Sequence, residues 1–371
     1  MLKSGFCNMV LLGLFVCISA FKAGTQPITY ITLQNQALSI TPKEFYIAAV
    51  DDGRKENNHI GKLQPYANNP GKQTEVYDID VKGGIAAIKN FVTYALPVDK
   101  SKRPVIVKLT TLYVTEGPAN NGLVKGDIKL TAFFYLQKGD DAVHLVNYNT
   151  NTTYSRKAGP AQQIEPLLRS ALSNSLVYIN NWMNAQAGIN IMLAKAVKVS
   201  FTDYNEAVKG DTIYYSINRP LTWADFKGKQ HNGTRNGAEV FASMGYDEHV
   251  SVSNSTVNVT LAIKVYIPKI ASWVSPGAVN ANSLNHEQRH FDIAKLVAEH
   301  FKQNVMREKL PPDNYDGTIN MAYLDALREL HDMQKKYDAE TAHSTNAYQQ
   351  QLWNNRIDDQ LSALGVKKKA L

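Results

Sequence analysis

Asn285-His286-Glu287-Gln288-Arg289-His290-Phe291-Asp292-Ile293-Ala294 carries the pattern H-E-x-x-H inside a run that reads as helix. Residues four apart share one face of a helix, so His286 and His290 can aim their imidazoles at a single point. Neutral imidazoles are good zinc ligands. Glu287 beside them is placed to take a proton from water activated by such an ion without binding the ion itself. The chemistry predicted is that of a zinc-dependent peptidase. A short pattern also arises by chance, but the run beyond His290 stays amphipathic, with Phe291, Ala294, Val297 or Ala298, Phe301 and Val305 at helical spacing.

A catalytic zinc needs a third protein ligand and one position left open. Glu299 lies nine residues past His290 on the same helix, about 13 Å further along the axis, and His300 is beyond it, so neither reaches the ion. Pro311-Pro312 end that helix, and a second helical stretch runs from near Thr318 to Leu364 without Gly or Pro. If the two pack antiparallel, the metal turn near residue 288 is 22 residues before Leu310, and the same distance past Thr318 reaches 340. Glu340 and His343 then lie abreast of the metal turn, whereas His331 is displaced by roughly 13 to 18 Å.

Here the chain resembles a family of bacterial secreted zinc-dependent proteases catalogued mainly as a domain of unknown function. The blocks that carry the resemblance are Leu221-Thr222-Trp223-Ala224-Asp225-Phe226, the pair Ser272-Trp273, the helix from His286 to Ala294, and Tyr337, Asp338, Thr341 and His343 followed by Gln351 and Trp353. They cover about residues 211 to 360. The resemblance implies His343 as the third zinc ligand, in agreement with helix counting, with Glu340 as the alternative. Tyr337 is read as a packing residue, a hydrogen bond to a tetrahedral intermediate being its other reading. The family usually has Gly after the downstream His, where this chain has Ser344.

Upstream of the motif, Val257, Val259, Leu261, Ile263, Val265 and Ile267 alternate with polar residues and predict a half-buried strand. In zinc peptidases a strand so placed pairs its free edge with an extended substrate, which is expected here too. A polar joint near 205–211 is read as the domain boundary. Before it, residues 27–208 are strand-rich: Phe45 to Val50, Arg103 to Val114, Ile128 to Leu136 and Ala142 to Tyr148, with a hairpin turn at Lys138-Gly139-Asp140-Asp141. Two helices interrupt this pattern, about Gly84 to Ala95 and Pro160 to Ala185, the second with a core stripe at Ile164, Leu168, Leu172, Leu176, Ile179 and Met183. Phe45 to Arg54 with Ile60-Gly61 resembles the opening of small envelope-associated lipoprotein domains, which implies binding or anchoring and no chemistry.

Residues 1–23 read as a secretory signal, with Lys3, an apolar stretch from Met9 to Ala20, and small residues Ser19, Ala20 and Ala23. Both cysteines, Cys7 and Cys17, lie inside it, so no disulfide is expected beyond it. Export to the periplasm or outside the cell follows, with lipid anchoring at Cys17 as the lesser alternative because Val16 is bulky. No later apolar run is long enough to span a bilayer.

The formal net charge is +7 in 371 residues, but the basic residues are scattered and only Lys367-Lys368-Lys369 form a run. A basic aromatic patch, a Gly-rich phosphate loop and a G-x-S-x-G elbow are all lacking, which argues against nucleic-acid binding, phosphate-loop chemistry and that class of serine hydrolase. The expectation is an α+β chain: a strand-rich α+β accessory domain at 27–208, then a zincin-like α+β metallopeptidase domain at 211–371 with a long antiparallel helix pair. Zn2+ is the expected cofactor, held by His286, His290 and His343 with Glu287 as general base. A peptide or protein is the expected substrate, with an envelope partner for the N-terminal domain. The competing reading is an envelope binding or scaffold protein with a structural or idle zinc site.

Overall fold

The computed structural model describes residues 28–54, 59–64, 76–117, 122–157, 159–204, 206, 208–230 and 236–366. Residues 1–23, read from the sequence as a signal with Cys17 as candidate anchor, and the run Lys367-Lys368-Lys369 lie outside the described residues. The chain is mixed α+β, as its alternating strand and helix periods predict, and divides into two compact units, one ending at Asn181 and the other starting at Trp182.

In the first unit, β1 (Thr29–Ile31), β2 (Phe45–Asp52), β3 (Gly61–Leu63), β4 (Tyr77–Val81), β5 (Arg103–Glu116), β6 (Leu123–Lys138) and β7 (Asp141–Lys157) form one sheet. Its order is β1-β4-β3-β5-β6-β7, with β2 parallel to β5. The β6–β7 hairpin turns at Gly139, whose φ of 60° needs the left-handed freedom of glycine. Helices α1 (Gly84–Ala95) and α2 (Glu165–Gln186) complete the strand-rich part of the chain. Ile164, Leu168, Leu172, Leu176, Ile179 and Met183 are all buried, so the stripe on and just before α2 is core.

The second unit is built on β8 (Ala196–Asp203), β9 (Val208–Lys209), β10 (Thr212–Tyr214), β11 (Ala238–Glu239), β12 (Ser243–Ser253), β13 (Thr256–Pro268) and β14 (Trp273–Val274). β13 alternates as its sequence predicts, with Val257, Val259, Leu261, Ile263, Val265 and Ile267 all buried. Its edges, however, are both taken. β12 pairs along one side from Ser243 to Ser253, while parallel β8 and antiparallel β10 occupy the other. The expected substrate-pairing edge on this strand is therefore absent, because three other segments already use its N–H and C=O groups. The pairing of β8 also brings residues 196–203, upstream of the polar joint, into this unit's sheet.

Three helices follow: α3 (Ala281–Arg307), α4 (Tyr315–Thr341) and α5 (Ala347–Ala363). Asn280 caps α3 by accepting the Ser283 N–H at 2.9 Å. α3 lays Phe291, Ala294, Val297, Ala298, Phe301 and Val305, all buried, into the core. α4 returns antiparallel to α3, as the pairs His286–Asp338 and His300–Glu329 require. The uninterrupted helix expected from Thr318 to Leu364 is instead broken between Thr341 and Ala347. Ala342, His343 and Ser344 have φ of 45°, 46° and 69°, so the chain reverses in three left-handed residues, none of them glycine. α5 then runs alongside α3 in the same direction, with Arg289 bonded to both Asn354 and Asp358.

The left-handed conformation costs a non-glycine residue about 1–2 kcal/mol. Glycine at 344 would remove that strain while adding about 0.4–1 kcal/mol of unfolded-chain entropy. Ser344→Gly is therefore expected to raise stability by up to about 1.5 kcal/mol, seen as a higher urea midpoint with an unchanged slope. A lowered midpoint would show that the serine is not strained.

Candidate metal centre

The helix period brings His286 and His290 to one face of α3, and the reversal after α4 swings His343 across to meet them. All three rings converge on a fourth group, Asp338. Its Oδ1 lies 3.1 Å from His286 Nε2, 2.9 Å from His290 Nε2 and 3.3 Å from His343 Nδ1. The donor atoms of His286, Asp338 and His343 lie within 4.8 Å of one another, a group able to hold a metal ion. His290 stands just outside that set, on the same Asp338 oxygen. Imidazole nitrogens with a carboxylate oxygen suit a first-row divalent metal, and the residues fit one.

Glu287 faces the same cavity, of about 240 Å³, whose wall is the extended segment Ala238–Ala242. The Val240 N–H donates to Glu287 Oε2 at 2.9 Å, so one carboxylate oxygen is fixed. Burial pushes the Glu287 carboxyl up, and the nearby His290 and His286 offset only part of that. A carboxyl raised in this way makes a better base near neutral pH.

Behind the rings lies a buried polar layer. The ring of Tyr337, fully buried, stacks on His286 at 4.6 Å, and its hydroxyl donates to the His286 carbonyl at 3.3 Å. That places Tyr337 in packing and away from the cavity. Gln350 Oε1 lies 3.0 Å from His286 Nδ1, while its Nε2 donates to the Tyr337 hydroxyl at 2.6 Å. A proton held on Nδ1 by Gln350 would let Nε2, now bonded to Asp338, give up its own proton and offer a lone pair to a metal.

The other blocks singled out in the sequence also gather here. The Leu221 N–H donates to Gln288 at 2.8 Å, and Asp225 closes a capping box with Thr222. Trp273 pairs with Glu239 in β14–β11, and the Ser272 hydroxyl oxygen accepts the Phe241 N–H at 3.3 Å, which fixes the cavity wall. Glu340, the alternative ligand, turns away and accepts the Trp353 indole N–H at 2.8 Å.

Two functional groups escaped the sequence reading. Helix counting aimed at 340, but the bonds from His286 and His290 both meet α4 at Asp338, two residues earlier. The signal available was Asp338 itself, inside the Tyr337–His343 block. The other is Gln350: its neighbour Gln351 was singled out, yet Gln351 donates to Asn355 on the exposed side of α5.

The ionic layer sets a pH dependence. Burial pulls the His290 imidazole down, but Asp338, Glu287 and Glu239 outweigh it and hold the ring above its ordinary 6.5. Burial pushes Asp338 up, but its bonds to His286 and His290 and the charges of His290 and His343 outweigh that and hold it well below its ordinary 3.8. The raised imidazole contributes stability that is complete below pH 6.5 and lost as pH rises through its folded value. The depressed carboxyl contributes stability present above pH 3.8 and lost as pH falls through its folded value. The buried Glu287 carboxyl adds a loss of the same sign as the imidazole when it ionises on rising pH. The metal-free chain is therefore expected to be most stable near pH 4 to 4.5 and to lose stability as pH rises, first through Glu287 and above pH 6.5 also through His290. Thermal melts in chelator from pH 5 to 8.5 check this, and His290→Asn should flatten the upper limb; a melting temperature that climbs above pH 6.5 would contradict it.

Residues 208–344 match the family described as a bacterial protein of unknown function (DUF922). That span holds His286, Glu287, His290, Asp338 and His343 and ends before α5. No curated protein matches the chain. Among solved structures, it is similar to an uncharacterized protein at 8% identity and a TM-score of 0.26, covering 42% of this chain and 99% of that one. A Xanthomonas campestris protein of family DUF330 gives 13% and 0.27, covering 42% and 94%. A minor lipoprotein of Acinetobacter baumannii gives 12% and 0.19, covering 43% and 95%. At such TM-scores these likenesses carry no weight for fold or site. Among the described residues, no helix is long and apolar enough to cross a membrane.

Proposed function

We propose that the second unit is a zinc-dependent peptidase of the cell envelope or exterior. The observation that carries this reading is the gathering of three imidazoles around one Asp338 oxygen, beside the buried Glu287 in a shared cavity. His286, His290 and His343 would hold zinc, and a zinc ion there supplies Lewis-acid activation of water and of a peptide carbonyl. Glu287 takes the proton of the attacking water and passes it to the leaving amine. The Val240 N–H keeps the carboxylate aimed while this happens. The expected substrate is a peptide or protein; the export signal supports the location, and the strand-rich first unit is assigned to an envelope partner.

A structural ion site is the competing reading, favoured by how close Asp338 stands to all three rings. Glu287 speaks against it, since a purely structural site has no use for a base. The test is metal content and hydrolysis of a general protein substrate. Wild type is expected to hold about one zinc per chain and to cleave, and His290→Ala to lose both. Zinc bound with no cleavage of any peptide would favour the structural site.

A further inference from the structure

We propose, resting on the zinc reading of this site, that Asp338 is a built-in fourth donor that closes the resting centre, and that hydrolysis requires this carboxylate to move aside. A hydrogen-bonded carboxylate oxygen ordinarily serves one or two donors. Here a single oxygen, Asp338 Oδ1, stands 2.9, 3.1 and 3.3 Å from three imidazole nitrogens. In a tetrahedral zinc site with bonds of about 2.0–2.1 Å, neighbouring donor atoms are about 3.3 Å apart. The Asp338 oxygen thus lies at donor-to-donor range from all three imidazole nitrogens, and with His286 and His343 it forms a group whose donor atoms could share one ion.

The fourth position is the one a catalytic centre keeps open for water or substrate, whereas four protein donors make a closed and inert site. The surroundings give the carboxylate a second place to go. Its side chain is 30% exposed. It also borders an outer cavity of about 410 Å³ shared with His343 and with Lys335, which lies nearly one turn earlier on α4. A carboxylate leaving the rings would therefore enter a space bordered by a cationic side chain. Asp338 hangs from the regular end of α4, whereas His343 is carried on the left-handed reversal after it, so the carboxylate can swing on its own side-chain torsions without moving that histidine.

The experiment loads the full chain with cobalt(II), whose visible spectrum reports coordination, and adds azide as a small competing anion. In wild type the spectrum should not respond to azide, because the fourth position is filled. In Asp338→Ala azide should bind and shift the spectrum, and zinc affinity should fall by about 10- to 100-fold. Asp338→Asn keeps the volume of the side chain and guards against a folding defect; it too should admit azide. With zinc saturating, Asp338→Ala should also hydrolyse peptide faster than wild type. A wild-type cobalt spectrum that responds to azide like the variant, or unchanged zinc affinity in both variants, would overturn the proposal. If the azide results hold and no variant cleaves peptide, the peptidase reading falls and Asp338 is a ligand of a structural site. If wild type binds neither metal, both readings fall.

Discussion

Glu287→Gln is expected to keep its metal and lose peptide hydrolysis by about a hundred- to ten-thousand-fold, the usual worth of a positioned general base. The substitution preserves shape, and the Val240 N–H that donates to Glu287 Oε2 at 2.9 Å can donate to the amide oxygen instead. What disappears is the proton acceptor. Burial raises this carboxyl and so makes it a stronger base than an exposed glutamate, which is why its loss should be felt so strongly. Glu287 stands outside the group of donor atoms around Asp338, so metal content should match wild type. Measuring kcat/KM beside metal content separates the two effects. Activity within tenfold of wild type would remove Glu287 from the chemistry.

Phe301→Ala should cost the second unit about 3–5 kcal/mol, the range for emptying a buried aromatic site. Phe301 is fully buried on α3, stacked on Tyr246 of β12 at 5.8 Å and edge-on to Phe201 of β8 and Tyr323 of α4. It ties the motif helix to two strands and to the returning helix. Trp223, Trp273 and Trp353 lie in this unit, whereas Trp182 sits on α2 at the boundary, so indole fluorescence during urea unfolding in a Trp182→Phe background reports on it. Phe301 is 11 residues past His290, about 16 Å along the axis, so metal affinity of the folded variant should be near wild type. A loss below 1 kcal/mol would mean that neighbouring rings refill the space.

The sites of success and failure in the sequence reading follow one physical line. His286 and His290 were legible because four residues on a helix always share a face, whatever surrounds them. The stripe at Ile164 to Met183 and the alternation of β13 were legible for the same reason. Asp338 was not, because which residue of α4 faces the motif depends on where each helix starts and ends, and two residues of error move the answer from Asp338 to Glu340. The reversal at Ala342–Ser344 carries no glycine or proline, so nothing in its composition marks a left-handed turn. The closed edges of β13 come from β8, β10 and β12, whose pairing joins residues as far apart as Ala196 and Thr256.

The sequence by itself therefore determined the α+β character, the helical motif face and the placing of Glu287 beside two histidines, all of them consequences of the short periods of the backbone. The tertiary structure alone decided that one carboxylate oxygen meets three imidazoles, that Gln350 backs His286, and that the cavity wall is Ala238–Ala242 rather than β13. Those arrangements depend on how separate helices and strands are packed against one another, and no local repeat encodes that packing.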